Sequence, residues 1–180
     1  MVNKAESGQT NRTHATNGDQ TTQVEQGVFA LITSGEGAER RYLLQWNAHW
    51  HRFNLIGGKV DRGQEDEESF RQTVLRELEE ELGLRSPFEC TVVRKLKDVK
   101  MRQFSERDHV IKQYHFHIYE VSLLPELHLN GERPNLAARW LSTKQENVFV
   151  TRAEIENLNT LDNRPISSTT RDILRELGEL

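Results

Sequence analysis

The most informative feature of this chain is a helical pattern in its middle, surrounded by segments that are typical of strands. Apolar residues recur there at helical spacing, at Val74, Leu75, Leu78 and Leu82. Ser69 is a suitable N-cap, and Gly83 stands where a helix commonly ends in a left-handed residue. We therefore predict a helix over residues 69–82, and the fold must pack this helix against strands.

Segments typical of strands precede and follow this helix. They are residues 27–33, 41–46, 53–56, 90–104, 109–123 and 137–141. The first two should form a hairpin across the Ser-Gly-Glu-Gly turn at 34–37, and the third should end at the pair Gly57 and Gly58. Further helices are predicted near 151–159 and over 168–177. Strands mixed with about three helices indicate an α/β layered domain.

The N-terminal region differs in composition from the rest of the chain. Residues 1–25 are rich in Asn, Thr, Gln, Ser and Gly, which bury too little apolar surface to offset the entropy of ordering. We expect a disordered tail over 1–25 and one domain over 26–180. The single cysteine, Cys90, excludes an internal disulfide, and no stretch has the length of a membrane span or a secretory signal. We expect a cytoplasmic protein without a membrane partner.

The charge of the chain is concentrated in one segment. Residues 61–81 contain nine acidic and three basic side chains, whereas the whole chain has a net charge of −4. The remainder is mildly basic and has no basic stripe of the kind that binds nucleic acid, so we expect no nucleic-acid partner. A dense acidic cluster indicates either a solvated helix or a divalent cation site.

Three of these acids lie on one side of the predicted helix. Glu77, Glu80 and Glu81 occupy positions i, i+3 and i+4, which places their carboxylates on one patch. Their repulsion is unfavourable unless a cation such as Mg²⁺, which prefers carboxylate oxygens, lies among them. Arg76 is placed to orient a carboxylate. From spacing alone, a solvated charged helix face accounts for the pattern equally well.

The residues around this patch resemble the signature box of the Nudix hydrolases. That pattern is a glycine, five residues, a glutamate, seven residues, then Arg-Glu-apolar-any-Glu-Glu-any-Gly-apolar. Its second half is matched in full from Arg76 to Leu84, and Glu68 is the box glutamate seven residues upstream. Nine residues instead of five separate Gly58 from Glu68, so the loop before the helix carries a four-residue insertion.

The resemblance implies a fold, a reaction and a set of site residues. The fold is an α/β/α sandwich with a mixed β-sheet between helices, and the reaction is metal-dependent hydrolysis of the diphosphate linkage of a nucleoside diphosphate derivative. Carried over by position, Mg²⁺ or Mn²⁺ would be held by Glu77, Glu80, Glu81, Glu68 and the carbonyl of Gly58. Arg76 would orient Glu77. Water would attack phosphorus, with Glu77 as the first choice of base and Glu132 as a candidate on a later loop, where a plain surface acid is the alternative.

Other features have a functional and a structural interpretation each. Trp46, Arg41 and Lys59 are candidate substrate contacts, although a large aromatic residue beside a short strand more often packs. The five cations from Arg94 to Arg102 could contact a substrate phosphate, but we interpret them as a solvated strand face. His115 and His117 have a spacing that metal sites can use, but we interpret them as part of a polar strand face. Two alternatives to hydrolysis remain: a Nudix-fold module that senses a nucleotide or sugar diphosphate, and a non-hydrolytic reaction on a diphosphate. A homodimer is compatible with the sequence.

Overall fold

The computed structural model describes residues 24–61, 63, 66–105, 108–123 and 146–180, and the structural statements below refer to these ranges. It contains seven strands: β1 (Val24–Ser34), β2 (Arg41–Asn47), β3 (Arg52–Asn54), β4 (Ile56–Lys59), β5 (Cys90–Ser105), β6 (Val110–Leu123) and β7 (Asn147–Thr151). The helices are α1 (Glu67–Leu82), α2 (Arg152–Glu156) and α3 (Ser168–Glu176), with a short 3₁₀ helix at Gly37–Glu39.

Strand β1 organises a mixed sheet. It pairs in parallel with β6 on one side and antiparallel with β4 on the other, and its end pairs antiparallel with β2. Strand β5 forms a long antiparallel pair with β6, while β2 carries β3 and β7. The predicted hairpin of the first two strands is therefore present.

Helices cover the two faces of the sheet. Helix α1 packs on one face through Phe70, Val74 and Leu78, against β1 and β6 residues such as Val28 and Tyr119. On the other face, Ile155 of α2 and Ile173 and Leu174 of α3 pack with Leu31, Phe116 and Ile118. The α/β/α sandwich with a mixed sheet is thus confirmed.

The bounds of α1 differ from the prediction at one end only. The helix begins at Glu67, and Asp66 instead of Ser69 is its N-cap, because the Asp66 carboxylate accepts a hydrogen bond from the Ser69 N–H at 2.8 Å. The Ser69 prediction is therefore wrong. At the other end, Gly83 adopts the predicted left-handed conformation with φ of 65°.

The glycine pair does not end a strand as predicted. Gly57 and Gly58 lie inside β4, paired with Phe29 and Val28 of β1. A Cβ atom on Gly57, where φ is 151°, would lie 2.1 Å from the Val28 carbonyl oxygen. Glycine is needed there because two backbones approach each other closely, and not because the chain turns.

Several predictions fall partly or wholly outside the described residues. Val24 and Glu25 belong to β1, while the other residues of the predicted tail lie outside the described ranges, as does the predicted strand at 137–141. Strand β7 is an element that the sequence did not indicate, and α2 is shorter than the helix predicted near 151–159. Among the described residues, no helix is long and apolar enough to cross a bilayer.

Candidate active site

The acidic side of α1 faces the glycine pair of β4. Glu77 is a buried carboxylate, 8% exposed, on the helix turn that crosses this strand. A Cβ atom on Gly58 would lie 2.2 Å from Glu77 Oε1, so the carboxylate occupies the space that any larger residue would fill. The Glu77 carboxylate can therefore approach the sheet only because Gly58 has no side chain.

Glu81 approaches the same strand one turn later. Its Oε2 accepts a hydrogen bond from the Gly57 N–H at 3.2 Å. Burial raises the pKa of Glu81 to about 7, and the negative charge of Glu77 adds to this shift, while the Gly57 N–H opposes it. The negative charges of Glu81 and Glu77 repel each other, and a cation bound beside them would remove that repulsion.

Arg76 forms ion pairs with both Glu77 and Glu80, and so links Glu80 to Glu77 and Glu81. Its guanidinium lies 2.6 Å from Glu77 Oε1 through Nη2 and 2.9 Å from Glu80 Oε2 through Nη1. Burial raises the pKa of the Glu77 carboxyl, Arg76 opposes that shift, and the charges of Glu80 and Asp61 reinforce it. Glu77 and Glu80 therefore share one arginine, and Glu77 and Glu81 share the glycine pair.

These residues fit a hard divalent cation. Three carboxylates face one arginine, which leaves a net negative patch, and the pKa values of Glu77 and Glu81 are raised first by burial and then by neighbouring negative charges. Such oxygens are the ligands that Mg²⁺ and Mn²⁺ prefer. The cradle formed by Gly58 brings the most buried of these carboxylates against the backbone of β4.

One predicted metal ligand, Glu68, is not brought to this patch. Glu68 lies nine residues before Glu77, which is half a turn around the helix and roughly 13 Å along its axis. Its exposed carboxylate instead accepts a hydrogen bond from the Gln72 amide at 3.1 Å. Glu132, the loop candidate for the base, lies outside the described residues.

The three candidate substrate contacts are dispersed. Trp46 packs edge-on against Phe53, with ring centroids 5.1 Å apart. It therefore contributes to the hydrophobic core under α2 and α3 and not to the acidic patch. Lys59 directly follows Gly58, and its ammonium pairs with Glu25 Oε2 at 2.9 Å. Arg41 is an exposed residue at the start of β2, paired with Thr151.

A buried polar network beside the patch was not foreseen. His117 is 2% exposed and stacks on Phe70 of α1, with ring centroids 3.7 Å apart. Its Nδ1 lies 2.7 Å from Asp98 Oδ1 and its Nε2 lies 2.8 Å from Gln26 Oε1. The alternation of β6 indicates that His115 and His117 share a face, but the predicted polar face is here covered by a helix.

The ligand atoms of Asp98, His115 and His117 lie within 4.8 Å of one another, a grouping that could hold a metal ion. However, the Asp98 oxygen that contacts His117 also lies 2.8 Å from the Lys95 ammonium. Both nitrogens of His117 are hydrogen-bonded as well. We therefore describe the grouping as a hydrogen-bonded network that fixes the start of α1 on the sheet.

The sequence profile of the NUDIX domain matches residues 24–162, most of the described fold and the whole patch. No curated protein matches the chain.

Solved structures with the same fold are distant in sequence. Shewanella oneidensis NrtR in complex with a 27mer DNA has a TM-score of 0.52 at 15% identity, over 85% of this chain and 60% of that one. A UDP-X diphosphatase has a TM-score of 0.51 at 19% identity, over 87% of this chain and 64% of that one. The NUDIX domain of Shewanella oneidensis NrtR in complex with ADP ribose has a TM-score of 0.51 at 15% identity, over 86% of each chain. This chain thus spans less than two thirds of the first two proteins, and the likeness concerns the fold.

Proposed function

This chain belongs to the Nudix family, and on that premise we propose that it is a divalent-metal-dependent pyrophosphohydrolase. Its substrate class is a nucleoside diphosphate derivative, and water attacks phosphorus to break the diphosphate linkage. One observation carries the proposal: Glu77 and Glu81 converge on the backbone of Gly57 and Gly58, with Arg76 holding Glu77 and Glu80.

The residues divide into three roles. Glu77, Glu80 and Glu81, with the carbonyl of Gly58, would hold Mg²⁺ or Mn²⁺. When bound, such an ion neutralises diphosphate oxygens and makes water a better nucleophile. Arg76 positions Glu77 by holding its Oε1 at 2.6 Å.

We assign Glu77 as the general base. Burial raises its pKa, so its affinity for a proton is higher than that of an exposed glutamate, as proton abstraction from water requires. Its close approach to Gly58 holds the carboxylate against β4. Glu132 remains the alternative base, and Glu68 has no role in this assignment because it lies on the far side of α1.

A binding module is the second candidate function. The NrtR NUDIX domain of the same fold is described in complex with ADP ribose, so this fold accommodates such a ligand. Shewanella oneidensis NrtR was also solved in complex with a 27mer DNA, but the present chain spans only 60% of that chain. Because this chain has no basic stripe in its sequence, we continue to expect no nucleic-acid partner.

A panel of diphosphates separates the two candidates. ADP-ribose, UDP-sugars, dinucleoside polyphosphates, nucleoside triphosphates and coenzymes would be incubated with the full chain and Mg²⁺ or Mn²⁺, and the products resolved by chromatography. We expect cleavage of at least one compound with a divalent ion and none in excess EDTA. Binding without cleavage of any compound would favour the sensing module, and equal turnover in EDTA would contradict the metal assignment.

A further inference from the structure

A groove of about 240 Å³ lies on the sheet beside α1 and has no role in the site described above. Its walls include Val24 of β1, Gln113 and His115 of β6, and Lys100 and Arg102 of β5. The strand registers show which face of the sheet the groove occupies, and the ion pairs of β5 show which of its cations are available to a ligand.

The registers place the groove on the same face as the acidic patch. Residues directly paired across strands share a face, and so do residues two apart along a strand. One row across the sheet runs through Gly58, Val28, His117 and Asp98. Glu77 lies against its first member and Phe70 on its third, so this row faces α1.

The next two rows on that face supply five of the seven residues that line the groove, and the other two, Met101 and Tyr114, are paired with each other and pack toward the opposite face. The two rows run through Gln26, His115 and Lys100, and through Val24, Gln113 and Arg102. From the strand spacing, the Cα atoms of Gly58 and Lys100 are separated by roughly 16 Å, and two long side chains shorten that gap. The groove therefore lies beyond the reach of one diphosphate at Glu77, but within reach of a larger molecule anchored there.

The cations of β5 differ in their partners. Arg94 pairs with Glu120 at 2.8 Å, Lys95 pairs with Glu67 at 2.9 Å, and Lys97 pairs with Glu176 at 3.0 Å. Lys100 and Arg102, by contrast, make no ion pair with any described residue, and both are exposed. The two unpaired cations are the two that line the groove.

His115 lines the groove opposite Lys100 and carries an unsatisfied group. Its Nε2 is buried and has no hydrogen-bond partner among the described residues. A buried ring nitrogen without a partner is costly, and a turn of the imidazole toward the groove would let a bound ligand satisfy it. The two exposed, unpaired cations already suit an anion with several acceptor oxygens.

We propose that this groove is a subsite for a second phosphate group of the substrate, separated from the scissile diphosphate by a sugar or a spacer of similar length. The proposal rests on the proposed function, because the acidic patch must hold the scissile diphosphate for the second phosphate to reach Lys100 and Arg102. It predicts a preference for compounds with an extra phosphate monoester.

Binding of matched compounds tests the subsite separately from catalysis. The affinity of the full chain would be measured by calorimetry with Ca²⁺ in place of Mg²⁺, so that a divalent ion still holds the diphosphate at the acidic patch, for ADP-ribose and 2′-phospho-ADP-ribose, and for dephospho-coenzyme A and coenzyme A. In at least one pair the phosphorylated member should bind about tenfold more tightly, as expected for charge-assisted contacts. The double variant Lys100→Gln, Arg102→Gln should reduce this ratio to within about twofold.

The matched control is Arg94→Gln, Lys97→Gln, which removes two cations of the same strand and should keep the wild-type ratio. All four side chains are exposed, so both variants should fold. Equal affinities within both pairs in the wild type, including no measurable binding, would overturn the subsite, as would equal losses in the two variants. Hydrolysis with Mg²⁺ is scored separately: turnover without a phosphate preference refutes only the subsite, and a binding preference without turnover refutes only the proposed hydrolysis.

Discussion

At the scale of single residues, the site depends on two glycines as much as on its acids. Gly58 leaves the space that Glu77 Oε1 occupies, and the Gly57 N–H contacts Glu81. The spacing of the acids was readable in the sequence because it follows from helix geometry alone. The contact between Gly57 and Glu81 joins residues 24 positions apart, and no local pattern encodes which strand a helix will cross.

The variant Gly58→Ala tests this role of the glycine. The new Cβ would displace the Glu77 carboxylate, so we expect turnover to fall about a hundredfold, as for a catalytic group moved by about 1 Å. The clash is with the end of a side chain, so the melting temperature should change by only a few degrees. Gly37→Ala is the control for activity: its φ of 54° strains the added side chain and lowers stability, but no atom lies within 4 Å of the new Cβ, so turnover should stay normal. Full activity in Gly58→Ala would show that the position of Glu77 is not critical.

At the scale of elements, a polar network attaches the start of α1 to the sheet. His117 of β6 stacks on Phe70 of α1, and Glu67 of the same helix contacts both the Tyr119 hydroxyl at 2.5 Å and the Lys95 ammonium at 2.9 Å. Burial lowers the pKa of His117, with help from the charges of Lys95 and His115, while Asp98 opposes the shift. The imidazole is therefore neutral in the folded protein at neutral pH.

This pKa shift predicts how stability depends on pH. Just below pH 6.5, the ordinary pKa of histidine, the unfolded chain protonates His117 while the folded protein does not. The unfolded state then binds more protons, so stability falls as the pH drops, with a slope of at most about 1.4 kcal/mol per pH unit. Urea unfolding of wild type and His117→Gln between pH 7.5 and 5.0 isolates this contribution, since other titrating groups are common to both. A wild-type slope that persists in the variant would contradict it.

The elements were predictable where one local pattern dominates. The apolar spacing of α1 and the alternation of β6 locate both elements within a few residues. The N-cap was misplaced because both Asp66 and Ser69 are good capping residues, and the choice depends on where the first turn docks. Strand β7 was missed because its five residues form a strand only by pairing with β2, more than a hundred residues away in sequence.

At the scale of the whole molecule, α1 divides one face of the sheet into two parts. The flank that carries Glu77 and Glu80 opens toward β4 and the groove beside Lys100, while Arg71 on the other flank contacts the Val92 carbonyl. The acidic and the unpaired basic residues therefore lie on the same side of the helix. The acidic patch would bind a diphosphate through a metal ion, whereas Lys100 and Arg102 would bind a second anion directly. The surface therefore suits a substrate that carries both groups.

The central claim is that the carboxylates beside Gly57 and Gly58 bind a divalent ion that hydrolysis requires. The most direct measurement compares Glu81→Gln with Glu79→Gln, which removes the same charge from the same helix at an exposed residue paired with Arg85. Melting curves with and without Mg²⁺ would be recorded for both variants and the wild type, together with turnover of the best substrate of the panel.

Wild type and Glu79→Gln should gain stability with Mg²⁺, by about 2.7 kcal/mol at a hundred times Kd, and should turn over at similar rates. Glu81→Gln should be as stable as wild type or more stable without metal, because a buried charge is removed. It should gain much less from Mg²⁺ and should lose turnover by orders of magnitude. Equal metal-induced stabilisation and equal turnover in the two variants would contradict the account.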